Sequence, residues 1–412
     1  MRSLGLLHPT FERWGGAEWY IHQTLCAMLE GRLREAVVYT HRYSPPPGEK
    51  RLPYRVVEHR YGGLLSAPWD WSRVARRLAP SWREHDALLI HNYPATMWLA
   101  AARQQADLPP AVWYCHEPPE QLHGQHESAA ERRSTSSTLS ALRFYRLRAG
   151  WWLYSRWRER RERARLGERR WREARRAAER EAVAAIETIL ANSRFTADRV
   201  ASIYGKSAEV VYPVPADLDR LAPSAAAEKD RTVLWVGRLT PAKRPLMMLD
   251  AWEQARRSEP ELECYRLRLI GDGPLRSQID GRIAALGGSI ARDAALSRAT
   301  LVEAYRRAVV TVHLGRQEPF GLVPLEAMAA GSAVIAAGEG GVRETVIVGE
   351  TGWLLEPCER QTLAAALAKV PARHQDLCEM GRQAVASVRA RFCFEDSLAA
   401  VCESLGSTRT AP

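Results

Sequence analysis

Residues 309–336 read VVTVHLGRQEPFGLVPLEAMAAGSAVIA. The stretch opens on an apolar, β-branched run, Val309–His313, and closes on a second, Ala333–Ala336. Between them Gly321 loosens the backbone, and Pro324 suits the first turn of a helix that continues through Glu326. Strand, loop, helix and strand in this order form the unit of a parallel sheet built with crossover helices.

The same alternation extends outward in both directions. Candidate strands of the second half are Val210–Tyr212, Thr232–Val236, Leu267–Ile270 and Gly352–Leu355. Those of the first half are Leu4–His8, Ala36–Thr40, Ala87–His91, Ala111–His116 and Thr188–Asn192. Tyr212-Pro213-Val214-Pro215-Ala216-Asp217 and a polar stretch up to Arg231 separate the halves and suggest a linker. The expected fold class is α/β, with two doubly wound Rossmann-like domains at 1–213 and 231–394 joined by 214–230. A C-terminal helix and tail at 395–412 has no assigned partner, since its helix (roughly Glu395–Leu405) suits either domain.

The chain has 412 residues, 46% hydrophobic and 26% charged, enough for a core in each of two domains. No apolar run reaches the roughly 18 residues a spanning helix needs, and the N-terminus lacks the pattern of a signal peptide. Seven scattered cysteines without a C-x-x-C pair imply a reducing compartment and no zinc site. A cytoplasmic protein is the expectation, peripheral on the inner membrane face if a basic segment binds lipid.

That segment is 131–180, a helical insert in the first domain. Its seventeen arginines and six glutamates carry the +11 that is also the formal net charge of the whole chain. It also holds Trp151, Trp152, Trp157 and Trp171. Three meanings are open: a solvated helix laced with Arg–Glu pairs, a basic Trp-bearing face lying on anionic lipid, or a nucleic-acid-binding surface. Lysine is rare throughout, so part of the arginine content reflects composition.

In doubly wound sheets ligands bind beyond the carboxyl ends of the strands. Four such places carry useful residues. Gly15 and Gly16 precede a helix after the first strand, where backbone N–H groups can approach an anion or simply make a turn. His116 ends Tyr114-Cys115-His116-Glu117 and reads equally as a buried hydrogen-bonded histidine. Gly237-Arg238-Leu239-Thr240-Pro241-Ala242-Lys243 sets two cations near a strand end, a reasonable diphosphate clamp. In the opening stretch, Glu318 and Glu326 can accept from sugar hydroxyls while helix-start N–H groups face phosphate. Other patterns fail: Gly205-Lys206-Ser207 lacks the rest of a P-loop, and Gly271-Asp272-Gly273-Pro274 is no dinucleotide fingerprint. Asp217-Leu218-Asp219 reads as a capping turn, and His123-Gly124-Gln125-His126 lacks a third metal ligand.

These residues resemble the retaining glycosyltransferases of family 4, which have the GT-B fold of two Rossmann-like domains facing a deep cleft. The likeness is carried by His8-Pro9 then Gly-Gly-Ala-Glu, Tyr-Cys-His-Glu-Pro-Pro, Ala191-Asn192-Ser193-Arg194-Phe195-Thr196, Val211-Tyr212-Pro213, Gly-Arg-Leu-x-Pro-x-Lys-Arg-Pro, Glu-Pro-Phe-Gly with Glu326, and Gly340-Gly341-Val342-Arg343-Glu344-Thr345. It implies that Arg238 and Lys243 neutralise the donor diphosphate, that Glu326 binds the ribose hydroxyls and that Glu318 holds the donor sugar with Phe320, Gly321 and Leu322. His116 would lie near the anomeric carbon; Gly15, Gly16 and Gly237 would approach the donor through their backbone.

The resemblance further implies front-face transfer with retention, domain closure that assembles the site, and no cofactor or metal requirement. The opening motifs look most like mannosyltransferases of lipid-linked oligosaccharide and polysaccharide assembly, so GDP-mannose is the expected donor and a UDP-hexose the alternative. The expected partners are the nucleotide sugar, a glycan or lipid-linked acceptor, and an anionic membrane surface through 131–180. An Arg-rich nucleic-acid-binding protein on a degenerate transferase scaffold is the rival from another class, which the joint presence of Arg238, Lys243, Glu318 and Glu326 disfavours. A pyridoxal-dependent GT-B phosphorylase and a sugar-nucleotide epimerase are the enzymatic rivals.

Overall fold

A computed structural model describes residues 1–12, 14–49, 51–59, 68–123, 167–223, 229–294 and 296–407. The chain divides into two units, one of residues 1–213 together with the chain from Glu395 on, the other Val214–Phe394. Each is a parallel sheet with helices packed on it.

In the first unit the strands are β1 (Ser3–Leu7), β2 (Thr10–Phe11), β3 (Glu35–Thr40), β4 (Arg42–Tyr43), β5 (Arg55–Glu58), β6 (Ala87–His91), β7 (Ala111–Cys115), β8 (Thr188–Ala191) and β9 (Glu209–Val210). Seven of them form a sheet in the order β5-β3-β1-β6-β7-β8-β9, while β2 and β4 pair separately. Every neighbouring pair of the large sheet is parallel. The second unit has β10 (Asp230–Val236), β11 (Arg266–Ile270), β12 (Ile290–Asp293), β13 (Ala308–His313), β14 (Ala333–Ala337) and β15 (Gly352–Leu355), ordered β12-β11-β10-β13-β14-β15. In both sheets the chain winds outward one way and then restarts on the other side of its first strand. The reversal falls between β1 and β6 in one and between β10 and β13 in the other, which are the ligand-binding positions of such sheets.

Burial on both faces explains why central strands such as β1 and β6 carry apolar residues without alternation. In the first sheet Leu4, Leu6, Val38, Leu89, Val112 and Tyr114 enter one core, and Leu7, Val37, Tyr39, Leu88, Ile90 and Trp113 enter another on the opposite face. Helix Arg194–Tyr204 shows the local logic: Ser193 Oγ accepts from the Thr196 N–H at 3.0 Å, and Gly205, at φ 66°, ends it.

Three expectations are answered here. The last helix, Phe394–Ser407, packs on the first unit, where Val401 and Leu405 join the core. There Ser397 Oγ donates to the Tyr212 carbonyl at 2.7 Å and lies 3.1 Å from the Tyr20 hydroxyl. The strand expected at Val210–Tyr212 is shorter, Glu209–Val210, and the Val211 carbonyl beyond it accepts from the Tyr114 hydroxyl at 2.6 Å. Most of the basic insert, including Trp151, Trp152 and Trp157, lies outside the described residues. Its end does not: within helix Glu168–Ala184, Trp171 and Arg175 are buried and stacked, the guanidinium carbon 4.8 Å from the indole centroid. Trp171 is thus neither a solvated nor a lipid-facing residue. Among the described residues no helix is long and apolar enough to cross a membrane.

Because the last helix completes a core face, Leu405→Ala should cost about 2–5 kcal/mol, the usual range for a buried leucine. Denaturant unfolding would check this; a loss under about 0.5 kcal/mol would contradict the packing.

Candidate functional site

The second unit gathers its chemistry where β10 and β13 end side by side. The Arg316 N–H bonds the Ala242 carbonyl at 2.9 Å, tying the two following loops together. Lys243, at the end of a single 3-10 turn, sets its ammonium against Glu318 Oε2. His313, the last residue of β13, approaches the same oxygen at 3.1 Å. Burial alone would raise the Glu318 pKa, but the Lys243 charge and the His313 contact outweigh it and hold the carboxyl well below its ordinary value. Arg238 is exposed beyond β10, and among the described residues its guanidinium has no ion-pair partner.

Close backbone approach shapes these loops. The Gly341 N–H bonds the Glu318 carbonyl at 2.8 Å, and a Cβ at Gly340 or Gly341 would collide with the 318–319 backbone. A Cβ at Gly271 would likewise strike the Gly237 carbonyl. The glycines of the failed dinucleotide fingerprint therefore press against the loop that carries Arg238. Arg244 lies 2.8 Å from Glu339, whose carboxylate also accepts from the Gln317 N–H at 3.4 Å.

Gly321, at φ 103°, turns the chain into helix Leu322–Ala329, and Phe320 is buried against Phe392. Glu326 follows on that helix. Its oxygens meet Arg298 at 2.6 Å and the Tyr305 hydroxyl at 3.3 Å. Burial dominates and raises its pKa despite Arg298. Arg298 also takes Asp217 in a two-pronged pair at 2.9 and 3.0 Å, so Asp217 serves as an ion-pair anchor, with no side-chain cap hydrogen bond.

The first unit has a different character. His8, His91 and His116 stand at or just beyond the ends of adjacent strands β1, β6 and β7, and all three are buried. His91 Nδ1 and His116 Nε2 are 3.0 Å apart. Burial, with His8 nearby, pushes the His116 pKa down to about 3, and burial also holds His91 far below its ordinary value. Both are neutral at physiological pH. Gly15 and Gly16 begin helix Gly16–Gly31, but the Gly15 N–H already bonds Glu18 Oε2 at 2.9 Å, and Glu18 Oε1 lies 3.5 Å from His8.

Sequence reasoning thus named Lys243, Glu318, Glu326, Arg238, Gly237 and Phe320–Leu322 in one unit, and Gly15, Gly16 and His116 in the other. It missed His313, Arg298, Tyr305, His8, His91 and Glu18. The three histidines had a signal, since each stands at or just beyond the end of an apolar strand. The His123-Gly124-Gln125-His126 pattern yields no described metal cluster; His123 pairs with Glu179 and 124–126 lie outside the described residues. Among the described residues no three His, Cys, Asp or Glu side chains are placed to hold a metal ion.

Residues 14–220, half of the chain, match the family model for Glycosyltransferase Family 4. The chain belongs to that family. Residues 219–384 match a second model, Glycosyl transferases group 1. D-inositol 3-phosphate glycosyltransferase of Geodermatophilus obscurus is 31% identical over 239 residues, 53% of each chain. Alpha-1,3/1,6-mannosyltransferase alg-2 of Neurospora crassa is 43% identical over 89 residues, 21% of this chain and 19% of the relative. The chain therefore spans about half the length, or less, of the curated relatives it matches. Solved structures share the fold across nearly the full length. Anabaena HepE in complex with UDP-glucose has a TM-score of 0.69 at 18% identity, covering 99% of this chain and 100% of the other. Sucrose-phosphate synthase of Thermosynechococcus elongatus has a TM-score of 0.70 at 18% identity, covering 98% of both. The two Rossmann-like units are those of the GT-B fold.

Glu318 has a depressed pKa, so its contribution to stability is complete above the unfolded value of about 4.5 and fades as pH falls below it. The gap in Tm between the wild type and Glu318→Gln should be constant from pH 7 to about 5 and narrow towards pH 3.5. A gap that stays constant over the whole range would contradict the ion pair.

Proposed function

We propose that this chain transfers a hexose from a nucleotide sugar to a glycan or lipid-linked acceptor, with retention at the anomeric carbon. The observation that carries the reading is the Lys243–Glu318–His313 cluster at the β10/β13 reversal, with Arg238 exposed at the same strand end. Cations there suit a diphosphate. A carboxylate kept ionised suits sugar hydroxyls, and Glu326 suits those of a ribose.

In the reaction the bond from the anomeric carbon to the phosphate oxygen breaks and a bond to the acceptor oxygen forms on the same face. The acceptor's proton passes to the departing phosphate oxygen. Negative charge grows on the diphosphate as it leaves, so Arg238 and Lys243 stabilise the transition state more than the bound donor. His116, neutral and enclosed, serves as a hydrogen-bonding group beside the donor sugar. Backbone N–H groups at Gly16 and Gly237 complete the donor contacts, the Gly15 N–H being already bonded to Glu18.

The donor we favour is GDP-mannose, with a UDP-hexose as the alternative. The stretch shared with the alg-2 mannosyltransferase supports the first, and the UDP-glucose bound by HepE supports the second. No cofactor or metal is assigned a role, since two side-chain cations take the diphosphate. If the acceptor is lipid-linked, the arginines of 131–180, apart from the buried Arg175, are proposed to meet anionic lipid.

Lys243→Ala and Arg238→Ala should each lower kcat/KM by roughly 10²–10³, the scale of losing one preplaced electrostatic stabiliser. Wild-type activity should survive EDTA. Transfer assays with GDP-mannose, UDP-glucose, UDP-galactose and UDP-N-acetylglucosamine would check both. An unchanged rate in either variant would remove that residue from the diphosphate, and turnover of none of the donors would overturn the reading.

A further inference from the structure

We propose that His91 holds the ring of His116 and occupies its Nε2, leaving Nδ1 as the one nitrogen that His116 offers to a substrate. The inference deepens the reading above and rests on it only for the statement that His116 meets the donor sugar.

Strand pairing brings the two rings together. His91 sits opposite Tyr114 in the β6/β7 register, and His116 lies two residues further along on the same face as Tyr114. The His91 and His116 rings stack, 5.2 Å between centroids at an interplanar angle of 30°. Tyr114 stands 4.9 Å from His116 and Tyr20 meets it edge-on at 6.3 Å. Tyr114 is itself anchored by donating to the Val211 carbonyl at 2.6 Å. The His116 ring is therefore enclosed by three aromatic rings, and its hydrogen bond to His91 occupies Nε2.

A neutral imidazole carries one N–H, and two neutral rings sharing one hydrogen bond must place one proton between them. If His91 Nδ1 donates, His116 Nε2 is bare and its proton sits on Nδ1. If His116 Nε2 donates, Nδ1 is a bare acceptor. Either way the two tautomers are coupled, and neither ring escapes by taking a second proton, because burial keeps both neutral. Without His91 the Nε2 atom has no partner and the His116 ring loses the hydrogen bond that holds its orientation. His91 is thus a positioning residue acting through His116.

The test uses the full chain labelled with ¹⁵N-histidine, and reads protonated against bare ring nitrogens by long-range ¹H–¹⁵N NMR without ligand. In the wild type His91 Nδ1 and His116 Nε2 should be complementary, one protonated and the other bare, with His116 Nε2 at a hydrogen-bonded shift that is lost in His91→Phe, which keeps a stacked ring but loses the nitrogen. His91→Asn, whose amide reaches the place of Nδ1, should restore that shift, while His91→Gln, which reaches further, should not. A His116 Nε2 shift unchanged in His91→Phe, or equal behaviour of the Asn and Gln variants, would overturn the proposal; the second comparison decides it if the Phe variant does not fold. In transfer assays His91→Phe should lower kcat by about ten- to hundredfold, the scale seen when a partner that orients a functional histidine is lost, with KM for the donor little changed. A lost Nε2 hydrogen bond at full kcat would keep the role of His91 and remove His116 from the substrate.

Discussion

Lys243 and Glu318 are brought together by the restart of the second sheet, which lays β13 beside β10 although two other strands intervene in sequence. Their ion pair joins the loops after those strands, and much of the surrounding structure depends on it. The Arg316-to-Ala242 backbone bond runs parallel to it, and the Gly340–Gly341 turn fits against the backbone of Glu318. In the proposed function the same pair has a chemical consequence. A lysine already held by a carboxylate presents little charge to weak anions, and a diphosphate carries enough to draw it away. Glu318 then keeps His313 as a partner and turns its remaining oxygen to the sugar.

The first unit has a different chemistry. Two of its strand ends hold neutral imidazoles, His91 and His116, packed against Tyr114, and Glu18 already occupies the Gly15 N–H at the helix start. Burial that deep makes ionisation costly, so these groups can orient hydroxyls but cannot act as readily titrating acids or bases. The two units thus divide the proposed work: cations for the leaving group in one, fixed hydrogen-bonding atoms in the other.

The fold was legible because strands buried on both faces are nearly continuously apolar, as Leu4–Leu7 and Ala333–Ala337 are. The edge strands β5 and β12 were not, since Arg55, Glu58, Arg292 and Asp293 give them the composition of loops. Of the site, the residues carried by short local motifs were visible in sequence: Gly237 to Lys243, and Glu318 to Glu326. Arg298 was invisible because its partners, Asp217 and Glu326, stand 81 and 28 positions away and leave no periodic trace. Trp171 misled for the opposite reason. Its arginine-rich surroundings look solvated, while the helix turns that one face into the core. His91 needed the strand pairing itself, which alone places it against His116.

The central claim is that Lys243 recognises a diphosphate. Calorimetric titration of the nucleoside, its monophosphate and its diphosphate into the wild type and Lys243→Met tests it most directly. The affinity lost on substitution should be large for the diphosphate, smaller for the monophosphate and negligible for the nucleoside. An equal loss for all three, or none for the diphosphate, would contradict it.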